Sequence, residues 1–148
     1  SSFIKNSLYI AHYDAAFKIF KENPVFGIGI KNYRFEAHKL KYENEKLLRT
    51  GSRGSTHPHQ IHFEILSETG LFGYISFLIL IIVSLYSSIK NYLVYKNIFQ
   101  LSSIIFIIIF TIPLLPSGSF FSTFPSSIFW INYAIMMAYN KSNLFIKS

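Results

Sequence analysis

The densest group of reactive side chains in this sequence is His57-Pro58-His59-Gln60-Ile61-His62-Phe63-Glu64. Imidazole titrates near neutral pH, so it accepts a proton from a substrate hydroxyl or binds a metal as a neutral ligand. A metal reading draws on the three His. On a helix, His59 and His62 lie three apart on one face, and His57 folds over them. Against it, the zinc pair four residues apart with an adjacent Glu is missing, and no fourth ligand stands out. An acid–base reading draws on the preceding basic segment, which carries Lys31, Arg34, Lys39, Lys41, Lys46, Arg49 and Arg53. An Arg fork pairs with two phosphate oxygens at once, so such a segment above a membrane suits a phosphorylated lipid. A solvated loop touching anionic headgroups accounts for the same composition. The chain has no Cys, which removes thiolate nucleophiles, disulfides and Cys-based zinc sites.

The elements that must position this group follow from an uneven charge distribution. Only 14% of the 148 residues are charged, against about 25% in an average soluble domain. Residues 1–69 hold all seven acids and ten of the fourteen bases; residues 70–148 hold only Lys90, Lys96, Lys141 and Lys147. Within that second part, 71–89, 98–115 and 120–139 are apolar runs without a formal charge. Each approaches the ~20 residues that span a bilayer. Three buried core helices would leave no amphipathic partner to cover them. The expectation is an all-α fold: a polytopic membrane protein fragment with three transmembrane helices and a helical extracytoplasmic loop. The third run is the most interrupted, by Pro125, Asn132 and several Ser. The chain opens without Met and without a signal-peptide apolar core, so further spans are expected upstream.

Lys90 and Lys96 lie between the first two runs, and Lys141 and Lys147 follow the third. With alternating spans both pairs fall on one side, which the positive-inside rule makes cytoplasmic. Residues 1–69 then form an outer, periplasmic segment, and 70–148 a membrane domain in the plasma membrane. The outer segment begins with a helix over 8–21, where Leu8, Ala11, Ala15, Ala16, Ile19 and Phe20 recur at helical spacing. Asn23-Pro24 ends it. Gly27-Ile28-Gly29 permits a tight turn or a close backbone approach, and Gly51-Ser52-Arg53-Gly54-Ser55 reads as a loop. Pro58 suits a first helical turn, so a helix is expected from there to Ile89, bending or packing closely at Gly70 and Gly73. His12 and His38 have no motif partner and read as surface residues, and Glu68 as a cap or a solvated group.

Two stretches resemble the C-terminal signature region of the O-antigen ligase and O-antigen polymerase superfamily. Asp14-Ala15-Ala16-Phe17-Lys18-Ile19-Phe20-Lys21-Glu22-Asn23-Pro24-Val25-Phe26-Gly27-Ile28-Gly29 is similar to its amphipathic helix followed by Asn/His-Pro, an apolar pair and Gly-x-Gly. His59-Gln60, nine residues, then Gly70-Leu71-Phe72-Gly73 is similar to its His-Asn/Ser/Gln, nine residues, Gly-x-x-Gly. The resemblance implies a multi-spanning inner-membrane glycosyltransferase that needs no metal or other cofactor. The implied donor is a glycan linked to undecaprenyl diphosphate. The implied acceptor is lipid A-core or a growing glycan, with membrane lipids as surroundings and no nucleic acid partner.

By the same resemblance His59 is the essential His that activates the acceptor hydroxyl, and the reaction inverts the anomeric centre. Gln60 and His62 fall beside it as candidate substrate contacts, although His62 and Glu64 read more readily as orienting groups. The Arg that family members often carry before the first helix is missing from Ser7-Leu8-Tyr9-Ile10-Ala11-His12-Tyr13. Arg34 or Arg53 is the candidate substitute for contact with the diphosphate, with Arg34 preferred. Two competing functions remain at this point: a metal-dependent membrane hydrolase using the His cluster, and a non-enzymatic subunit whose basic loop binds lipid headgroups.

Overall fold

The computed structural model describes residues 7–47, 51, 53–113 and 115–140. Arg49, Ser52, Lys141 and Lys147 lie outside the described residues. Among those described, the order is α1 (Leu8–Glu22), a one-turn α2 (Tyr33–Glu36), a 3-10 turn (Leu40–Tyr42), α3 (Ile61–Tyr95), α4 (Ile98–Phe110) and α5 (Thr123–Ala138). The all-helical expectation holds among them.

Helix α1 buries Ala11, His12, Ala15, Ala16 and Ile19, a stripe at helical spacing. Three Ala in that stripe let its backbone approach α3 and the segment carrying Tyr33, Ala37 and Tyr42, which complete one small core. His12 is only 6% exposed, so its reading as a surface residue is overturned. Its position in the buried stripe is the reason. At the helix end, the Asn23 amide donates to the carbonyls of Ile19 and Phe20, and Pro24 cannot continue the ladder.

Helix α3 differs from the expected unbroken rod in two ways. It starts at Ile61 rather than Pro58, because Gln60 is its N-cap and His59 stands outside it in a left-handed conformation. It also breaks at Gly70, where φ is 67° and ψ is −168°. The break admits another piece of backbone. The Leu71 and Phe72 amides donate to the carbonyls of Pro24 and Val25, at 2.8 and 3.2 Å. In return the Ile28 and Gly29 amides donate to the carbonyls of Ser67 and Glu68, at 3.1 and 2.9 Å. Gly27 sits against Gly70, also with positive φ (66°). The Glu68 carboxylate then accepts from the Lys31 and Tyr33 amides, at 2.6 and 3.0 Å. Glu68 is therefore a latch on the segment after the turn rather than a solvated cap.

Beyond the break, 71–95 rises ~37 Å as α-helix, more than the ~30 Å hydrocarbon core. This is the one described helix long and apolar enough to cross a membrane. The other two apolar runs are only partly helical. Helix α4 has 13 residues and α5 has 16, about 20 and 24 Å of rise. Pro113, Pro116 and Gly118 keep the intervening stretch non-helical. Helices α4 and α5 pack on α3 through Phe77, Ile81, Ile104, Ile107, Phe120, Phe129 and Met136. At their far end, the Gln100 amide group donates to the Met136 carbonyl and to Asn140 Oδ1, and Asn91 donates to Gln100 Oε1. Such bonds pin helix register where apolar packing alone is permissive.

At Gly70 a Cβ would run into the Val25 carbonyl, and an L side chain strains at this φ. Gly70→Ala is expected to destabilise the full-length protein by at least about 2 kcal/mol. A lowered melting temperature in detergent checks this; an unchanged one would contradict the interlock.

Candidate active site

His59 stands two residues before α3. Its φ of 58° is unusual for a residue with a Cβ and costs on the order of 1 kcal/mol or more. One bond and the start of the helix hold that conformation. The Ser117 amide donates to the His59 carbonyl at 2.9 Å, and Gln60 starts the helix immediately after it. The imidazole that results stands between α1 and the His57 ring. Ring centroids lie 5.0 Å from His12, 4.2 Å from His57 and 5.9 Å from Tyr9. His59 Nε2 is 3.2 Å from Ser55 Oγ, so a hydroxyl already occupies a proton-transfer position at this nitrogen.

Burial holds the His59 imidazole below its ordinary pKa. His12 is lowered as well, first by burial, with the nearby His59 adding to it and the Arg53 carbonyl opposing. Burial, then the adjacent His59, pushes His57 down to about 4. The three rings therefore stay neutral at pH 7. His12 Nδ1 lies 3.0 Å from the Arg53 carbonyl, which can only accept, so this nitrogen carries the proton. His57 Nε2 is buried without a hydrogen-bond partner.

The other residues of the motif have their polar atoms engaged. Gln60 Oε1 caps α3 by accepting from the Phe63 amide, and its Nε2 donates to the Pro113 carbonyl. His62 Nε2 donates to the Thr111 carbonyl at 2.8 Å, and Nδ1 is 3.1 Å from the Tyr74 hydroxyl. Glu64 accepts from the Ser119 hydroxyl and the Phe120 amide. Gln60, His62 and Glu64 thus tie the start of α3 to the stretch between α4 and α5. The expected shared helix face of His59 and His62 does not exist, because His59 precedes the helix. Among the described residues, no group of three or more His, Asp or Glu is arranged to hold a metal ion.

The two candidate arginines differ. Arg53 is 5% exposed; its Nη2 donates to the carbonyls of His38 and Lys39, with Glu43 4.0 Å from Nη1. Its carbonyl, with that of His12, accepts from the Tyr33 hydroxyl. Arg34 is half-buried on α2, where its charge opposes the burial that raises the Glu68 carboxyl above its ordinary pKa, and its Nε is buried without a hydrogen-bond partner. Sequence reasoning missed His12 and Tyr9 as neighbours of His59. The helical stripe through Ala11, Ala15 and Ile19 was the available signal for His12; nothing local pointed to Tyr9.

Residues 2–78 match the family model described as O-antigen ligase, over half of the chain. The chain belongs to the O-antigen ligase family. No curated protein and no solved structure matches it. Membership implies a membrane glycosyltransferase-type enzyme of lipopolysaccharide biosynthesis, located in the inner membrane. It also implies, in general terms, a lipid-linked glycan and a lipid A-core acceptor. The matched region ends inside α3, eight residues past the Gly70 break, so it contains both halves of the interlock and the whole His motif.

Since His12, His57 and His59 titrate lower folded than unfolded, the unfolded chain binds more protons below pH 6.5. Stability contributed by their neutral forms is full above 6.5 and lost as pH falls towards the folded values. Burial raises the Glu64 carboxyl to about 7 and raises Glu68 as well, and these two carboxyls favour the folded state as pH falls. The imidazole contribution is therefore read by difference: between pH 6.5 and 5, His57→Gln should lose less melting temperature than wild type does. A His57→Gln profile parallel to wild type over this window would contradict the buried-imidazole arrangement.

Proposed function

We propose that this O-antigen ligase family member transfers a glycan from undecaprenyl diphosphate to an acceptor hydroxyl at the periplasmic face, with His59 as general base. The observation that carries the reading is the His59 imidazole itself. It is neutral, held in a strained backbone conformation by two anchors, and already faces a hydroxyl at Nε2. Strain that the surroundings over-determine is a mark of functional positions.

In the proposed step, the acceptor hydroxyl takes the place of Ser55 Oγ at His59 Nε2. Its proton passes to that nitrogen as its oxygen attacks the anomeric carbon. The bond from that carbon to the diphosphate oxygen breaks, and undecaprenyl diphosphate leaves with the electron pair. Attack opposite the leaving group inverts the centre, and no metal is invoked. A cation near the departing diphosphate would stabilise growing charge where a low dielectric makes it most effective. We assign this role to Arg34, because Arg53 Nη2 already donates to the carbonyls of His38 and Lys39. Gln60 and His62 act by holding the motif rather than by touching the glycan.

The proposed topology places 1–69 outside and 70–148 in the membrane, with spans near 71–89, 98–115 and 120–139. The Gly70 break supports the boundary. The hairpin course of α3, α4 and α5 supports the spans, since it brings 111–120 back to the His motif and Tyr139 back to Asn91.

His59→Ala in the full-length protein is expected to abolish surface glycan while expression and membrane insertion persist. Residual turnover should lie about a hundred- to ten-thousand-fold below wild type, the usual share of a general base. Normal glycan in this variant would sink the assignment. A base must be neutral to act, and burial lowers the pKa of His59. The acidic limb of the rate profile should therefore fall below pH 6.5; a limb above it would contradict this role.

A further inference from the structure

A general base needs its lone pair on the nitrogen that meets the substrate and its proton on the other one. His59 Nε2 is the nitrogen that meets the Ser55 hydroxyl, at 3.2 Å, so the productive tautomer carries the proton on Nδ1. That N–H needs an acceptor to hold the tautomer. Two imidazoles stand beside it. A linear hydrogen bond of about 2.9 Å between two ring nitrogens sets their centroids about 5 Å apart. The His57 ring, at 4.2 Å, is closer than that and packs against His59. The His12 ring stands at 5.0 Å, with the planes inclined by 51°.

His12 is held ready to accept. Its Nδ1 donates to the Arg53 carbonyl at 3.0 Å, which leaves the lone pair on Nε2. The same carbonyl lies 3.1 Å from the Tyr33 hydroxyl, and that hydroxyl also reaches the His12 carbonyl, at 3.2 Å. Tyr33 is fully buried, and burial pushes its phenol well above the ordinary range, so it remains a donor. Its amide is in turn fixed by Glu68, next to the Gly70 joint. The titratable groups around His12 are thus Tyr33 on α2, Arg53, His57 and His59 in the segment before α3, and Tyr9 on α1 beside His59. The carboxylates of Asp14 on α1 and Glu68 on α3 are engaged by Lys18 and by two amides. A neutral imidazole therefore faces the base, and it orients the ring without adding a negative charge that would keep the proton on it.

We infer that His12 is a positioning residue for His59: its Nε2 accepts the Nδ1–H of His59, fixes the tautomer that leaves Nε2 free, and shares the charge when Nε2 takes the acceptor's proton. The inference rests on the transferase reading for its effect on turnover, but the tautomer it describes exists without turnover. In the resting structure the Ser55 hydroxyl engages the inclined His59 ring. A substrate hydroxyl that replaces Ser55 frees that ring to turn into line with His12. One proton moves, from the acceptor hydroxyl to His59 Nε2, and both Nδ1 protons stay on their rings.

The test reads the ring-nitrogen resonances of histidine-labelled full-length protein in lipid bilayers, with His59→Ala identifying the His59 signals. Wild type above pH 7 is expected to carry the His59 proton on Nδ1, and His12→Phe should give a mixture of both tautomers. A wild-type His59 protonated on Nε2 would overturn the proposal, even where His12→Phe fails to insert. So would an unchanged His59 tautomer in His12→Phe. Turnover is followed with lipid-linked glycan and acceptor extracted from the native membrane. His12→Phe should lower kcat by about ten- to a hundredfold, the share of one hydrogen bond to a charged group, with KM unchanged. The acidic limb of its rate profile should move to lower pH, because the imidazolium has lost its acceptor. His12→Gln, whose amide donates to Arg53 and accepts from His59, should recover most of kcat and the limb. Gln no better than Phe, or a loss carried by KM alone, would mark a packing residue and overturn the assignment. Failure of the transferase reading has a different signature: normal surface glycan in His59→Ala, with the wild-type tautomer as stated.

Discussion

Four backbone hydrogen bonds between the turn after α1 and the Gly70 break set the geometry on which the rest depends. Each is worth about 1 kcal/mol net, but leaving such amides and carbonyls buried and unpaired would cost more. The contact is backbone against backbone, so side chains are excluded from it. Gly27 and Gly70 are there because each must accept a positive φ and the near approach of the other. Once this joint forms, α1 can only run back along 61–69. The antiparallel course then delivers Tyr9 and His12 to His59, about three turns from the joint. Glu68 extends the control outward, since its carboxylate fixes the amides of Lys31 and Tyr33 and thereby the segment bearing Arg34.

A second set of bonds fixes the site from the membrane side. Pro113, Thr111, Ser117, Ser119 and Phe120 each bond to a residue between His59 and Glu64. The stretch between α4 and α5 is non-helical, which frees the carbonyls and amides that a helix would have used internally. Its irregularity is what lets it bind the motif. This also explains why α4 stops at Phe110 although apolar sequence continues. The stretch between α4 and α5 therefore orients His59 and the start of α3.

Much of this was legible from sequence because it obeys simple periodicities. The stripe through Ala11, Ala15 and Ile19 gave α1 to within a residue, and Asn23-Pro24 gave its end. The charge-poor run after Gly70 gave the membrane helix. The His, Gln and paired Gly gave the family, which the match over 2–78 bears out. What escaped were features set by partners distant in sequence. Nothing near Pro58 says that Ser117 will hold His59 in a left-handed conformation, so the helix start was placed three residues early. Burial of His12 depends on Tyr33, Arg53 and His59, and capture of the Arg53 guanidinium on two carbonyls of a neighbouring loop. Single-sequence reasoning weighs a side chain by its type, and these were decided by what each one met.

The His-Gln motif is correspondingly more architectural than its composition suggests. Gln60 is followed by nine helical residues and then Gly70, and each part has a mechanical reason. A capping side chain starts the helix, a fixed length carries it to the joint, and a glycine opens the joint. One residue more between them would rotate the Gln60 end by about 100° about the helix axis. His62 and Glu64 would then turn away from Thr111, Ser119 and Phe120, and His59 would lose Ser117. The spacing that makes this pattern recognisable is thus a statement of rotational register. It fixes where His59 stands relative to the long apolar helix, and Gln60, His62 and Glu64 spend their polar atoms enforcing it. His59 differs from His62 in that its Nε2 meets the Ser55 hydroxyl, whereas His62 is held at both nitrogens, by the Thr111 carbonyl and the Tyr74 hydroxyl.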